Sequence, residues 1–310
     1  MKRASGTRRP AVEDRVHDRA ALKQLLDHQY ESFNIPDSAT DPIQIVRRFD
    51  DPADREIVAF LASGLAFGRV ASVMASVERV LRAMPRPPAE FVERFEPWRD
   101  AAILRPLVHR WLRGPDLVAL MLVLQHMRRE HGSIEGAFLA GHDADAHDVA
   151  EGLERFTALA CSVDVSRAYG RAVPAQAGFR YFFPRPSKGS GCKRLNLFLR
   201  WMVRHDAIDP GGWTGIRPAQ LIVPLDTHIV RIGRCLRLTR YTSPGWKMAR
   251  EITDALRELD PEDPVRYDFA LCHLGMMKAC GFGTTRGDAV CPLRGWCRPG
   301  ARGSRKQTAR

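Results

Sequence analysis

The chain has 310 residues, 45% of them hydrophobic, which is enough for one large domain or two closely packed smaller ones. No window approaches 18 uninterrupted apolar residues, and the charged stretch 1–20 has no apolar run behind it, so neither a transmembrane helix nor a secretory signal is expected. The net charge of +12 points to a polyanionic partner, nucleic acid before a membrane surface, although 41 arginines against 7 lysines also fit an Arg-rich codon bias.

Residues 1–15 and 300–310 are polar and basic and read as a flexible N-terminus and a disordered tail. Between them the pattern is helical. Over 54–84, Ile57, Leu61, Leu65, Val73, Val77, Val80 and Leu81 return to one face, with a break at Gly64 and Gly68 and a stop at the prolines of 85–88. Residues 117–127 form a strongly apolar, buried helix, and 153–161 continue the helical pattern. The stretch 181–191, with two prolines, two glycines and two serines, separates helices; Tyr181, Phe182 and Phe183 in it fit a core or a base-stacking pocket. A long helix follows, with Leu195, Phe198, Leu199 and Met202 on one face, and then a Gly- and Pro-bearing connection over 206–218. Asp226 stands in the capping position of a helix carrying Ile229, Ile232 and Leu236. A last helix runs from Pro264 to about residue 278. No alternating strand pattern and no internal repeat is present, so the fold class is all-α.

Two segments carry chemistry. Lys188-Gly189-Ser190-Gly191-Cys192-Lys193-Arg194 places a Gly-x-Gly turn at a helix start, where outward backbone N–H groups, the helix dipole and three cations suit a phosphate. Leu225-Asp226-Thr227-His228-Ile229-Val230-Arg231 opens the capped helix, and taken alone Asp226 is a helix cap worth about 1 kcal/mol. Together they resemble the helix-hairpin-helix DNA glycosylase superfamily, which includes endonuclease III. There the hairpin reads Leu-Pro-Gly-x-Gly-x-Lys and the downstream segment Val-Asp-Thr-His-x-x-Arg. This chain keeps both glycines and the lysine, loses the Leu-Pro, and is similar to an uncharacterised bacterial branch. Its longer hairpin-to-aspartate interval is absorbed by the connection 206–218, where an insertion is tolerated.

The resemblance implies two helical lobes: a middle one of about 85–225, and an outer one from about 16–84 plus 240–299. It makes Lys193 the nucleophile on the sugar C1′, giving a Schiff base and β-elimination, and Asp226 the group that stabilises charge developing on the sugar. Lys188, Gly189, Ser190, Gly191 and Arg194 would contact DNA, and Leu65 would stand where the superfamily places a residue wedged into the DNA gap. The implied partner is double-stranded DNA, bound by a monomer in the cytoplasm at the nucleoid. A noncatalytic nucleic-acid-binding module and a monofunctional glycosylase, in which Asp226 directs water, are the alternatives.

Seven cysteines, an odd number with no export signal, argue against a disulfide framework; Cys161, Cys192 and Cys235 read as interior residues. Endonuclease III ends in a loop with the spacing Cys-x6-Cys-x2-Cys-x5-Cys. Here Cys291 and Cys297 match the last two positions, Asp288 replaces the second, and Cys280 stands for the first with one residue more between them. The resemblance therefore implies a structural [4Fe-4S] cluster completed by Cys272 or Asp288. A zinc site, which could include His273, or no metal at all, stands as the alternative.

Overall fold

The computed structural model describes residues 19–38, 40–276, 291–293 and 296. These residues form fourteen α-helices and one minimal β-hairpin, and the fold is all-α. The helices are α1 (Arg19–Phe33), α2 (Ile43–Val46), α3 (Pro52–Gly64), α4 (Val70–Ala83), α5 (Pro88–Glu93), α6 (Pro97–Leu104) and α7 (Gly114–His131). They continue as α8 (Ile134–Leu139), α9 (Ala150–Ser162), α10 (Ser166–Tyr169), α11 (Lys193–Val203), α12 (Thr227–Cys235), α13 (Trp246–Arg257) and α14 (Asp268–Met276). None of them is long and apolar enough to cross a membrane.

The periodic run 54–84 is two helices, because the backbone turns at Gly68, whose φ of +105° lies in the left-handed region that glycine favours. Asp51 caps α3 by accepting from the Asp54 amide at 2.9 Å, with Pro52 in the first turn. Nearly every side chain of α3 is buried, which identifies it as a central helix; it packs on α11 and α5. Contact is close at Gly64, where an added Cβ would lie 2.5 Å from the buried ring of Phe182. Glu56 on the same helix accepts from the amides of Ile134 and Glu135 at 2.9 and 2.8 Å and from Trp213 Nε1 at 3.0 Å. A buried carboxylate thereby caps α8 and ties it to the connection before α12; burial raises its pKa.

The last helix starts at Asp268, four residues later than the sequence predicts, because 264–267 form turns. It packs on α12 and α1. The hairpin, β1 (Val108–His109) with β2 (Leu112–Arg113), escapes the sequence pattern because each strand is two residues long. Phe182 and Phe183 are core residues, whereas Tyr181 is exposed. One contiguous apolar core runs through the described residues. It includes α3 as well as the middle of the chain, so helices on both sides of residue 85 share it. Cys235, read as a plain interior thiol, is buried and disulfide-bonded.

Candidate active site

The turn 186–192 begins with a short 3-10 segment, Pro186–Lys188, followed by Gly189 at φ +77°. Cys192, immediately before α11, also adopts a left-handed conformation, at φ +46°, and its amide donates to Ser190 Oγ at 3.2 Å. Such a conformation in a non-glycine residue costs of order 1 kcal/mol and persists only where the surroundings hold it. Here the carbonyl of Gly189 accepts from the Trp246 amide at 3.2 Å, and Gly191 lies against Leu225. The turn is therefore clamped between α11 and the start of α13. Lys188 and Gly189 are exposed and Ser190 is half-buried, so this edge is open to a ligand.

Lys193 is the first residue of α11 and Asp226 the cap of α12. Both line one cavity of about 590 Å³, shared with Asp41, Phe67, Asp268 and Cys272 among others. Lys193 Nζ donates to the Ala66 carbonyl at 3.3 Å, so the side chain spans from α11 to the break after α3. Asp226 Oδ1 accepts from the amides of His228 and Ile229 at 2.8 and 2.7 Å. Its other oxygen, Oδ2, accepts from the Cys272 thiol at 3.1 Å. Burial, with the nearby charges of Asp226 and Asp268, holds the Cys272 thiol pKa well above its ordinary value, so it stays a proton donor to Asp226.

The floor of the cavity is a buried ion-pair network. Arg200 Nη1 donates to Asp268 Oδ2 at 2.6 Å and its Nη2 to Asp209 Oδ1 at 2.8 Å. Asp209 also receives Arg204, which reaches on to Asp206 and Asp263. Asp268 Oδ1 is buried and has no hydrogen-bond partner among the described residues, and neither have His228 Nδ1 and His273 Nε2. His273 Nδ1 is bound to the Phe269 carbonyl at 2.8 Å, which assigns it the proton and leaves Nε2 a bare acceptor 3.9 Å from Asp41. Three buried polar atoms without a protein partner thus belong to residues that line one cavity.

Burial pushes Asp268 up to about 7; Arg200 opposes the shift and the charge of Asp226 adds to it. Below the ordinary carboxylate value both the native and the unfolded chain hold this proton. Between there and about pH 7 only the native chain does, so this group makes stability fall as pH rises through that window and level off above it. Urea midpoints followed from pH 4 to 8 should show this slope, and it should shrink in Asp268→Asn. An unchanged slope in that variant would assign the linkage elsewhere.

The remaining expected site residues divide. Arg194 turns inward, its guanidinium 5.6 Å from the Phe67 ring centre, and burial lowers its pKa to about 10, so it remains a cation. Leu65 is 1% exposed and belongs to the core, which corrects its assignment as a wedge into DNA; the aromatic at the cavity rim is Phe67, two positions on. Cys280, Cys297 and Asp288 lie outside the described residues. Cys291 is buried, while Cys272 lines the cavity and donates its thiol proton to Asp226. Among the described residues no group of three His, Cys, Asp or Glu side chains is placed to hold a metal ion. Asp41, Arg200 and Asp268 had no sequence signal, since none sits in a motif.

The profile of a family described as "Protein of unknown function (DUF2400)" matches residues 41–277. The chain belongs to that family. No curated protein and no solved structure matches it. The DUF2400 match takes in every residue that lines the cavity, from Asp41 to Met276, and ends before Cys280.

Proposed function

We propose that this chain is a DNA-repair enzyme that removes damaged bases and cleaves the abasic strand through Lys193. The observation that carries the reading is the convergence of Lys193 and Asp226, from the starts of two different helices, on one cavity of about 590 Å³. That volume lies within the range of small-molecule sites, of roughly 300–1,000 Å³, and suits a nucleotide turned out of the DNA stack. The Lys193 amine would attack the sugar C1′; the base leaves with the bonding pair and takes up a proton. Ring opening then gives a Schiff base, and loss of the C2′ proton expels the 3′ phosphate by β-elimination. Asp226 Oδ2, held by Cys272, would face the positive charge that develops on the sugar. The exposed edge of the turn 186–192, with Lys188, would take a backbone phosphate.

Sodium borohydride reduces a Schiff base to a stable amine, which makes the proposal directly testable. The full chain mixed with duplex DNA bearing an abasic site should yield a covalent adduct on a denaturing gel. Lys193→Ala should lose it and Lys188→Ala should keep it. Base release without an adduct would move the chemistry to water directed by Asp226. DNA binding with neither product would leave a noncatalytic binding role.

A further inference from the structure

Beside the cavity lies an open groove between α4 and the β1–β2 hairpin, and its charge is uncompensated. Arg69, Arg79, Arg82 and Arg110 line it, all exposed, with Ser72 and Ser76, and no acidic residue does. None of the four arginines forms an ion pair among the described residues. Arg79 donates to Ser76 Oγ at 3.0 Å, and Arg82 to the Glu78 carbonyl at 3.2 Å. The carboxylate of Glu78 is turned away to Arg48 at 2.8 Å. The cavity-floor arginines, by contrast, are each matched by aspartates. Four unmatched cations along one groove raise the local concentration of a polyanion.

Above the groove stands an aromatic ledge. Phe67 and Trp111 are stacked, with ring centres 4.3 Å apart and 16° between planes, and Tyr181 follows 5.4 Å from Trp111. Trp111 is 45% and Tyr181 49% exposed, so two ring systems meet water beside the arginines. The ledge is held in place. Buried His109 bonds Ser76 Oγ at 2.8 Å, fastening the hairpin to α4, and Arg110 and Arg194 both lie over the Phe67 ring. Solvent-facing aromatics next to unpaired cations fit a ligand that carries flat rings and negative charge in alternation.

We propose that this groove and ledge bind an unpaired single strand of nucleic acid, its phosphates on Arg69, Arg79, Arg82 and Arg110 and its bases stacked on Trp111 and Tyr181. A duplex keeps its base faces covered and cannot use the ledge; an acidic peptide would use the arginines alone. Such a strand-binding surface lies outside the cavity and requires no chemistry at Lys193.

The test is fluorescence anisotropy of a labelled oligothymidylate titrated with the full chain at several salt concentrations. Trp111→Ala should weaken binding about tenfold and Trp111→Phe should restore most of it, because the stacking face returns. Arg79→Ala combined with Arg82→Ala should lower the slope of log affinity against log salt by about 1.4, that is about 0.7 for each phosphate no longer neutralised. All three side chains are exposed, so the variants should keep the thermal unfolding midpoint of the parent. The proposal is overturned if the parent fails to bind the oligonucleotide, if Trp111→Ala binds as the parent does, or if polyglutamate competes as well as unlabelled strand at equal charge. Absence of the borohydride adduct would sink the lyase reading and leave this measurement untouched. Loss of strand binding with the adduct intact would sink only this surface.

Discussion

Arg200→Ala should be strongly destabilising, costing about 3–5 kcal/mol in urea unfolding. Arg200 is 3% exposed and holds two carboxylates, Asp209 and Asp268. Burial works against its charge, and the two aspartates more than offset this, so its pKa is raised. Truncation would leave the buried Asp209 carboxylate short of a partner and Asp268 without its donor, and the cost comes from those unmet groups more than from the missing side chain. Adding Asp268→Asn to Arg200→Ala should cost less than Asp268→Asn does in the parent, because the bond between the two side chains is already lost. Strict additivity of the two substitutions would show that they do not act through each other. Since Arg200 and Asp268 both line the cavity, the same substitution should also disturb the candidate site.

The second large effect separates two jobs that Asp226 can do. As a helix cap it needs only a side-chain oxygen for the His228 and Ile229 amides, and asparagine supplies one. As the electrostatic partner of a sugar cation it needs its negative charge. Asp226→Asn should therefore leave the urea midpoint near that of the parent while slowing adduct formation on abasic DNA about 10²- to 10³-fold. Asp226→Ala should lose the same rate and, in addition, about 1 kcal/mol of stability. If the asparagine variant traps DNA at the parental rate, Asp226 is a cap and nothing more.

Much of the helical architecture is legible in the sequence, because amphipathic periodicity and capping chemistry are local. The Asp226 cap, the broken run over 52–83 and the buried helix at 114–131 all follow from spacing and from single residues such as Gly68. The site is only half legible. Lys193 and Asp226 sit in short motifs that can be read one segment at a time. Cys272 meets Asp226 from 46 positions along the chain, and no spacing rule announces a thiol-to-carboxylate contact at that distance. Leu65 went astray through helix phase: it closes α3 facing the core, while the side chain that reaches the rim belongs to Phe67, beyond the helix end. Trp111 has no sequence signal for another reason: it sits in the turn between two strands of two residues each, too short for any alternation to be detected.

The cavity has a consequence for the order of assembly. Its walls come from distant parts of the described chain, with Asp41 3.9 Å from His273; away from the cavity, Tyr267 donates to Asp27 across 240 positions at 2.8 Å. Closing loops of that length is the slow part of folding, because chain entropy is lost before the native pairings repay it. Lys193 and Asp226 leave the ribosome well before Cys272, so a growing chain carries the lysine and the aspartate without the wall that completes their pocket. Competence at this site should thus appear late and all at once, when the last helix docks, and not in step with synthesis.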